Sequence, residues 1–215
     1  GYFDPQSSTY RRDILAKALL SDREIYLPTI IAPSTFGGTT SAGIPIAPGA
    51  GDNAAAALGV QAEPGDVVIS LGTSGTAFAV STTSTHDSSG AVAGFADASG
   101  RFLPLVCTLN AARIFDAATT ILGKTHDEVG ALALSSVPGA HGLTLLPYFE
   151  GERTPNRPTA TGVFSGMNIA NSNPADIARA MIEGMLSGLA DAVAALEDLG
   201  VDIKRVLIIG GAAKN

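Results

Sequence analysis

Val67-Val-Ile-Ser-Leu-Gly-Thr-Ser-Gly-Thr-Ala-Phe-Ala-Val80 holds two apolar runs, 67–71 and 76–80, flanking Gly72-Thr-Ser-Gly75. Branched and aromatic residues on both sides of a Gly-rich tetrapeptide predict a β-hairpin. Upstream, Gly49-Ala-Gly-Asp-Asn-Ala-Ala-Ala-Ala-Leu58 reads as a turn entering an Ala-rich helix. Downstream, 91–97 and 101–109 read as strands around Ser99-Gly100. Helices follow over 110–122, closed by Gly123, and over 126–134.

A buried strand is expected over 142–149, and then the clearest helix, 174–199. Asn173 caps it, Pro174 sits at N1, Asp176 at N3 and Gly200 ends it. Ile177, Met181, Met185, Leu189, Val193 and Leu196 form one stripe at helical spacing. Gly184 and Gly188 each weaken the helix by about 1 kcal/mol relative to Ala, but lie on one face where another backbone can come close. The apolar run 206–209 enters Gly210-Gly211 and no further element follows, so we read the chain as a fragment. At the other end, Ser8 and Thr9 predict a hydroxyl-capped helix over 8–20. Residues 27–50, rich in Pro, Gly, Thr and Ser, predict an extended connection. The order of elements gives a mixed α/β lobe.

Composition excludes several classes. Apolar residues make 46% of the 215 and charged ones 15%, which rules out a disordered tail. Charges or turn residues break every apolar run before bilayer length, so no membrane span is expected. The net charge of −7 and the absence of a basic stripe argue against nucleic acid. One Cys, Cys107, and three scattered His leave too few ligands for zinc and suggest a cytoplasmic setting.

Gly123-Lys-Thr125 resembles the end of a P-loop, but that pattern needs Gly at 118, where Ala stands. Gly72-Thr-Ser-Gly75 has the wrong spacing for a Ser nucleophile elbow. It is either an ordinary hairpin turn or a cradle of backbone N–H groups and hydroxyls for phosphate. In the second case glycine would free φ and keep a Cβ away from the phosphate oxygens. Asp52 is either a helix N-cap or a carboxylate held at a helix start to take a proton from an attacking hydroxyl. Gly210-Gly211 is a packing turn or an opening for a nucleotide. Glu150-Gly-Glu-Arg-Thr-Pro155 is a surface ion pair or a functional loop.

Together, Gly49–Ala55, Gly72–Gly75, Gly151–Pro155 and Ile208–Ala212 resemble the C-terminal half of the FGGY carbohydrate kinases. Gly162-Val-Phe-Ser-Gly-Met167, then eight residues, then Asp176-Ile-Ala-Arg-Ala-Met-Ile-Glu183 is similar to that family's second signature. Gly-Glu-Arg-Thr-Pro followed by Gly-Val-Phe is most similar to the xylulokinase branch, with gluconate, ribulose and other pentulose kinases close. The resemblance implies a ribonuclease-H-like, actin-like ATPase lobe, incomplete at both ends. Residues 1–42 would be a remnant of the N-terminal, sugar-side lobe and linker, and 43–215 the truncated C-terminal lobe. It implies ATP and Mg²⁺ as cofactors, D-xylulose as substrate, and a homodimer for the full-length protein. Asp52 would be the catalytic base, also touching sugar. Gly72, Thr73, Ser74 and Gly75 would contact phosphate. Asn110, Gly210, Gly211 and Asn215 would lie by the nucleotide, and Glu152 and Arg153 by the sugar. No metal ligand is assigned. The rival classes are a non-catalytic sugar or nucleotide sensor on this fold, and an ATPase that uses water.

Overall fold

The structure, a computed structural model, describes residues 2–214. The chain opens with β1 (Phe3–Asp4) and β2 (Thr9–Tyr10), paired antiparallel, and then α1 (Arg12–Leu19). The expected hydroxyl cap is absent. Thr9 is consumed in the β-pair, Ser8 takes φ 53° at its turn, and Arg11 becomes the N-cap without a side-chain cap bond. Through 27–50 the chain is extended, apart from a two-residue pair of β3 (Gly38–Thr39) and β4 (Pro45–Ile46). None of the described residues before Ala54 is fully buried.

From there a core forms. α2 (Asp52–Gly59) is followed by β5 (Asp66–Leu71), β6 (Gly75–Ala79), β7 (Val92–Ala96) and β8 (Phe102–Thr108). Next come α3 (Arg113–Leu122), α4 (His126–Ser135), β9 (Thr144–Leu146), β10 (Val163–Ser165), α5 (Pro174–Asp198) and β11 (Arg205–Ile209). The main sheet has the order β11-β5-β6-β8-β7. β11 runs parallel to β5, and the other neighbours are antiparallel. Period-2 alternation sends Val68, Phe78, Val80, Leu103 and Leu105 to the face covered by Ala54 and Ala57 of α2. Val67, Ala77, Ala79 and Val106 go to the other face, against Ala192 and Leu196 of α5.

α5 forms as its sequence dictates. The Asn173 side chain accepts from the Asp176 N–H, Pro174 stands at N1, and of the expected stripe Met181, Met185, Leu189 and Leu196 are buried while Ile177 and Val193 are half-buried. Gly184 meets the expectation of close approach, because a Cβ there would lie 2.4 Å from the Leu145 carbonyl oxygen of β9. Gly188 does not: a Cβ there meets nothing within 4 Å. Gly123 closes α3 at φ 63°. Thr125 and Glu128 form a reciprocal capping box that starts α4.

Two boundaries move inward. The strand expected over 142–149 shrinks to β9, whose partner β10 the sequence reading had not separated. Residues 139–142 before it take left-handed φ values of 83°, 44°, 50° and 87°, which end regular pairing there. Helix α3 begins at Arg113 rather than 110, because Asn110 and Ala111 are packed at the sheet end first. No described helix is long and apolar enough to cross a membrane.

Candidate active site

β5, β8 and β11 all end at one edge of the sheet, and the segments leaving them meet there. The Ala112 N–H donates to the Gly72 carbonyl at 2.9 Å, tying the residues after β8 to the turn after β5. A Cβ on Gly210 would lie 2.5 Å from the Leu71 carbonyl, so the turn after β11 sits directly on the end of β5. Crevices at the carboxyl ends of strands are the usual ligand positions in α/β sheets.

Asp52 reaches this end through α2. It is the first helical residue, with Gly51 as the N-cap, so the capping reading is replaced: an extended Gly51 makes the cap and Asp52 enters the first turn. Its Oδ1 accepts from the Asn53 N–H at 2.8 Å and the residue is exposed. Asn53 in turn accepts from Thr76 of β6 at 3.4 Å, and Thr76 stands opposite Cys107 of β8. Burial pushes the Cys107 thiol up, Arg153 pulls it down and Asp52 pushes it up, so both charges lie within electrostatic reach of one sulfur. Asp52 and Arg153, 101 positions apart, are thereby brought to the same end of the α2 face.

The Gly72–Gly75 turn divides into two parts. Thr73 and Ser74 are exposed, and among the described residues neither hydroxyl has a protein partner. Inward, the Gly72 and Thr73 carbonyls receive the Ala112 and Arg113 N–H groups at 2.9 and 3.4 Å. Neither Gly72 nor Gly75 adopts a positive φ, which corrects the expected reason for glycine at both positions. Gly75 is required by packing instead, since a Cβ there would fall 2.7 Å from Thr108 Oγ1 and 2.8 Å from Leu189 Cδ2.

Asn110 and Glu152, expected at nucleotide and sugar, are both 3% exposed and bonded to each other. Glu152 accepts from Leu109 N–H at 2.5 Å, Asn110 Nδ2 at 2.9 Å and Arg153 N–H at 2.7 Å. Asn110 Nδ2 also donates to the Gly151 carbonyl at 2.7 Å, while its Oδ1 has no protein partner. A buried carboxylate with three N–H donors is an anchor, and it fixes the 150–155 loop to the end of β8. Arg113 adds an ion pair to Glu150. Sequence reasoning did not find this anchor, because a Glu in a polar loop reads as surface.

Gly211 opens on a cavity of about 340 Å³ between α3 and the start of α4. Ala112 and Phe115 form its apolar wall, and Asp116, His126, Asp127 and Lys214 its polar margin. Gly210 does not line it, and Asn215 lies outside the described residues. The wall and margin residues were missed in the sequence. The short α3–Gly123–α4 connection, which folds His126 back against Asp116, was the available signal.

Residues 67–215 match the C-terminal domain of the FGGY family of carbohydrate kinases. Over the whole chain the sequence is 38% identical to the xylulose kinase of Streptomyces coelicolor, covering 44% of that protein. The solved xylulose kinase from Bifidobacterium adolescentis superposes with a TM-score of 0.89 at 46% identity, over 99% of this chain and 46% of that one. A glycerol kinase from Plasmodium falciparum, 20% identical, shares the fold with a TM-score of 0.84 over 100% of this chain and 45% of that one. The chain thus spans less than half the length of these relatives.

Proposed function

Because the chain belongs to the FGGY family of carbohydrate kinases, with the actin-like ATPase fold of its C-terminal lobe, we propose that the protein transfers the γ-phosphoryl group of ATP to a pentulose hydroxyl, D-xylulose first. The observation that carries this reading is the meeting of Asp52, the Gly72–Gly75 turn and the Gly211 cavity at one end of the sheet. The names of the relatives support xylulose among the possible sugars.

In this reading the Asp52 carboxylate takes the proton of the sugar hydroxyl as its oxygen attacks the γ-phosphorus. The bond to the β,γ-bridging oxygen breaks, and ADP leaves. Thr73 and Ser74 hold phosphate oxygens with hydroxyls that no protein group occupies. Gly211 and Ala212 bound the nucleoside, while Asn110 is buried in the Glu152 anchor and does not line the cavity. Arg153, exposed next to the anchored Glu152, is the residue we assign to the sugar. Little covalent chemistry falls to the protein in phosphoryl transfer, so positioning and charge supply most of the acceleration.

Mg²⁺ supplies charge neutralisation on the phosphates when bound. Among the described residues no group of three or more His, Cys, Asp or Glu side chains could hold a metal. The exposed Asp52 carboxylate is the kind of oxygen donor that suits a largely hydrated Mg²⁺ at this end.

The test is ADP release by the full-length protein over a panel of D-xylulose, ribulose, gluconate and glycerol, with Asp52→Ala beside it. Turnover should depend on D-xylulose and fall by about 10²–10⁴-fold in the variant, with ATP affinity kept. Sugar-independent ADP release would identify a water-using ATPase. Sugar or nucleotide binding without turnover would identify a sensor.

A further inference from the structure

The cavity beside Gly211 is built from two unlike halves. Its floor is apolar, from Ala112 and Phe115 of α3, and it faces Gly211, where a Cβ would meet nothing within 4 Å. Open space over the Gly211 backbone beside the apolar Ala112 and Phe115 leaves a slot for a flat ring. The margin carries Asp116 of α3 and His126 of α4, joined by His126 Nε2 and Asp116 Oδ1 at 2.9 Å. Both side chains are mostly exposed, so the pair is solvent-screened and easily opened. His126 engages Oδ1 of this exposed carboxylate, and Oδ2 is its second acceptor oxygen.

A carboxylate at this position repels phosphate, and Asp127 beside it adds to the effect. What it accepts well is a neutral hydroxyl, since a hydrogen bond to a charged acceptor is stronger than a neutral one. If the ring lies in the slot, the group next to it at the margin is the sugar of the nucleoside. Its vicinal hydroxyls are the donors that suit a carboxylate, as in dinucleotide sites where an acidic residue binds ribose.

We propose that Asp116, oriented by His126, reads the ribose hydroxyls of the nucleotide and makes the protein select ribonucleoside over dideoxyribonucleoside triphosphates. This rests on the nucleotide reading of the cavity given above. His126 is a positioning residue here, and Asp116 touches the ligand.

Calorimetric titration of the full-length protein with ATP and with 2′,3′-dideoxy-ATP tests it. The parent should bind ATP about tenfold more tightly, the lower range for one charge-assisted hydrogen bond. Asp116→Ala should lose that margin by weakening ATP alone, leaving the dideoxy ligand unchanged. Asp116→Asn, which keeps its size and one acceptor oxygen, should give an intermediate ratio. Equal weakening of both ligands in Asp116→Ala would make the pair only a tether between α3 and α4 and overturn the inference. So would a parent that binds both ligands alike, or a variant that alters ATP against GTP while keeping the dideoxy ratio. A parent that binds neither nucleotide would instead remove the nucleotide reading itself.

Discussion

Asp176 shows how a signature position serves structure. It is buried at the start of α5 and takes hydrogen bonds from Ser136, from His141 Nδ1 at 3.0 Å and from Asn173 Nδ2 at 2.7 Å. The Ser136 and His141 hydrogen bonds, then that of Asn173, hold its carboxyl below the ordinary range. A depressed carboxyl contributes stability that is complete above the unfolded-state value and lost as pH falls through the lower folded value. Thermal melts should therefore show Asp176→Asn less stable than the parent at pH 7. The gap should close on acidification below about pH 4, the unfolded-state value of Asp. Parallel melting curves down to the acid limit would place the acid sensitivity elsewhere. The sequence placed Asp176 correctly at N3, because capping is a local rule. It gave no sign of Ser136 and His141, 40 and 35 residues earlier. For the same reason Asp52 was legible by position and Glu152 was not. Asp52 is set by the Gly51–Asn53 run next to it, whereas burial of Glu152 depends on Leu109 and Asn110, 43 and 42 residues earlier.

Elements were legible where one periodic pattern ran uninterrupted. α5 and the β5–β6 hairpin emerged within a residue or two of their expected bounds. α1 did not, because Ser8 and Thr9 are equally good turn and strand residues, and pairing of Thr9 with Asp4 decides the outcome. The two glycines of α5 separate pattern from packing. Both were expected to admit a neighbouring backbone, yet only Gly184 has one, the Leu145 carbonyl. Gly184→Ala should force α5 off β9 and cost about 1–3 kcal/mol, as overpacking does. Gly188→Ala meets open space and should gain about 0.5–1 kcal/mol, the helix propensity difference. Denaturant unfolding of the two variants should move the midpoints in opposite directions. A shared direction would mean that the close approach at Leu145 does not govern the helix.

At the scale of the whole molecule, burial is uneven along the chain. No described residue before Ala54 is fully buried, while the sheet and its helices share continuous clusters beyond it. We therefore keep the proposal that 1–42 belongs with a second lobe and 43–215 with this one. Removing 1–42 should leave the melting temperature of the remainder within a few degrees, because little apolar area is lost from the core. The same division bears on activity. Asp52 is exposed at the sheet end, and transfer requires the attacking hydroxyl and the γ-phosphate to be held from both sides, since effective molarity collapses when one wall is missing. The match covers 44% of the Streptomyces coelicolor xylulose kinase and 46% of the Bifidobacterium adolescentis one, and the described groups at the site are mainly those we assign to nucleotide. Val206 and Ile208 of β11 are 46% and 57% exposed beside the exposed Leu186 of α5, an apolar face that favours self-association. The 215-residue chain alone should therefore bind ATP weakly and sediment as more than a monomer. Its ADP release with D-xylulose, ATP and Mg²⁺ should match the Asp52→Ala blank. Sugar-dependent turnover above that blank would place the whole sugar site within these residues, and the proposed division of labour between lobes would fail.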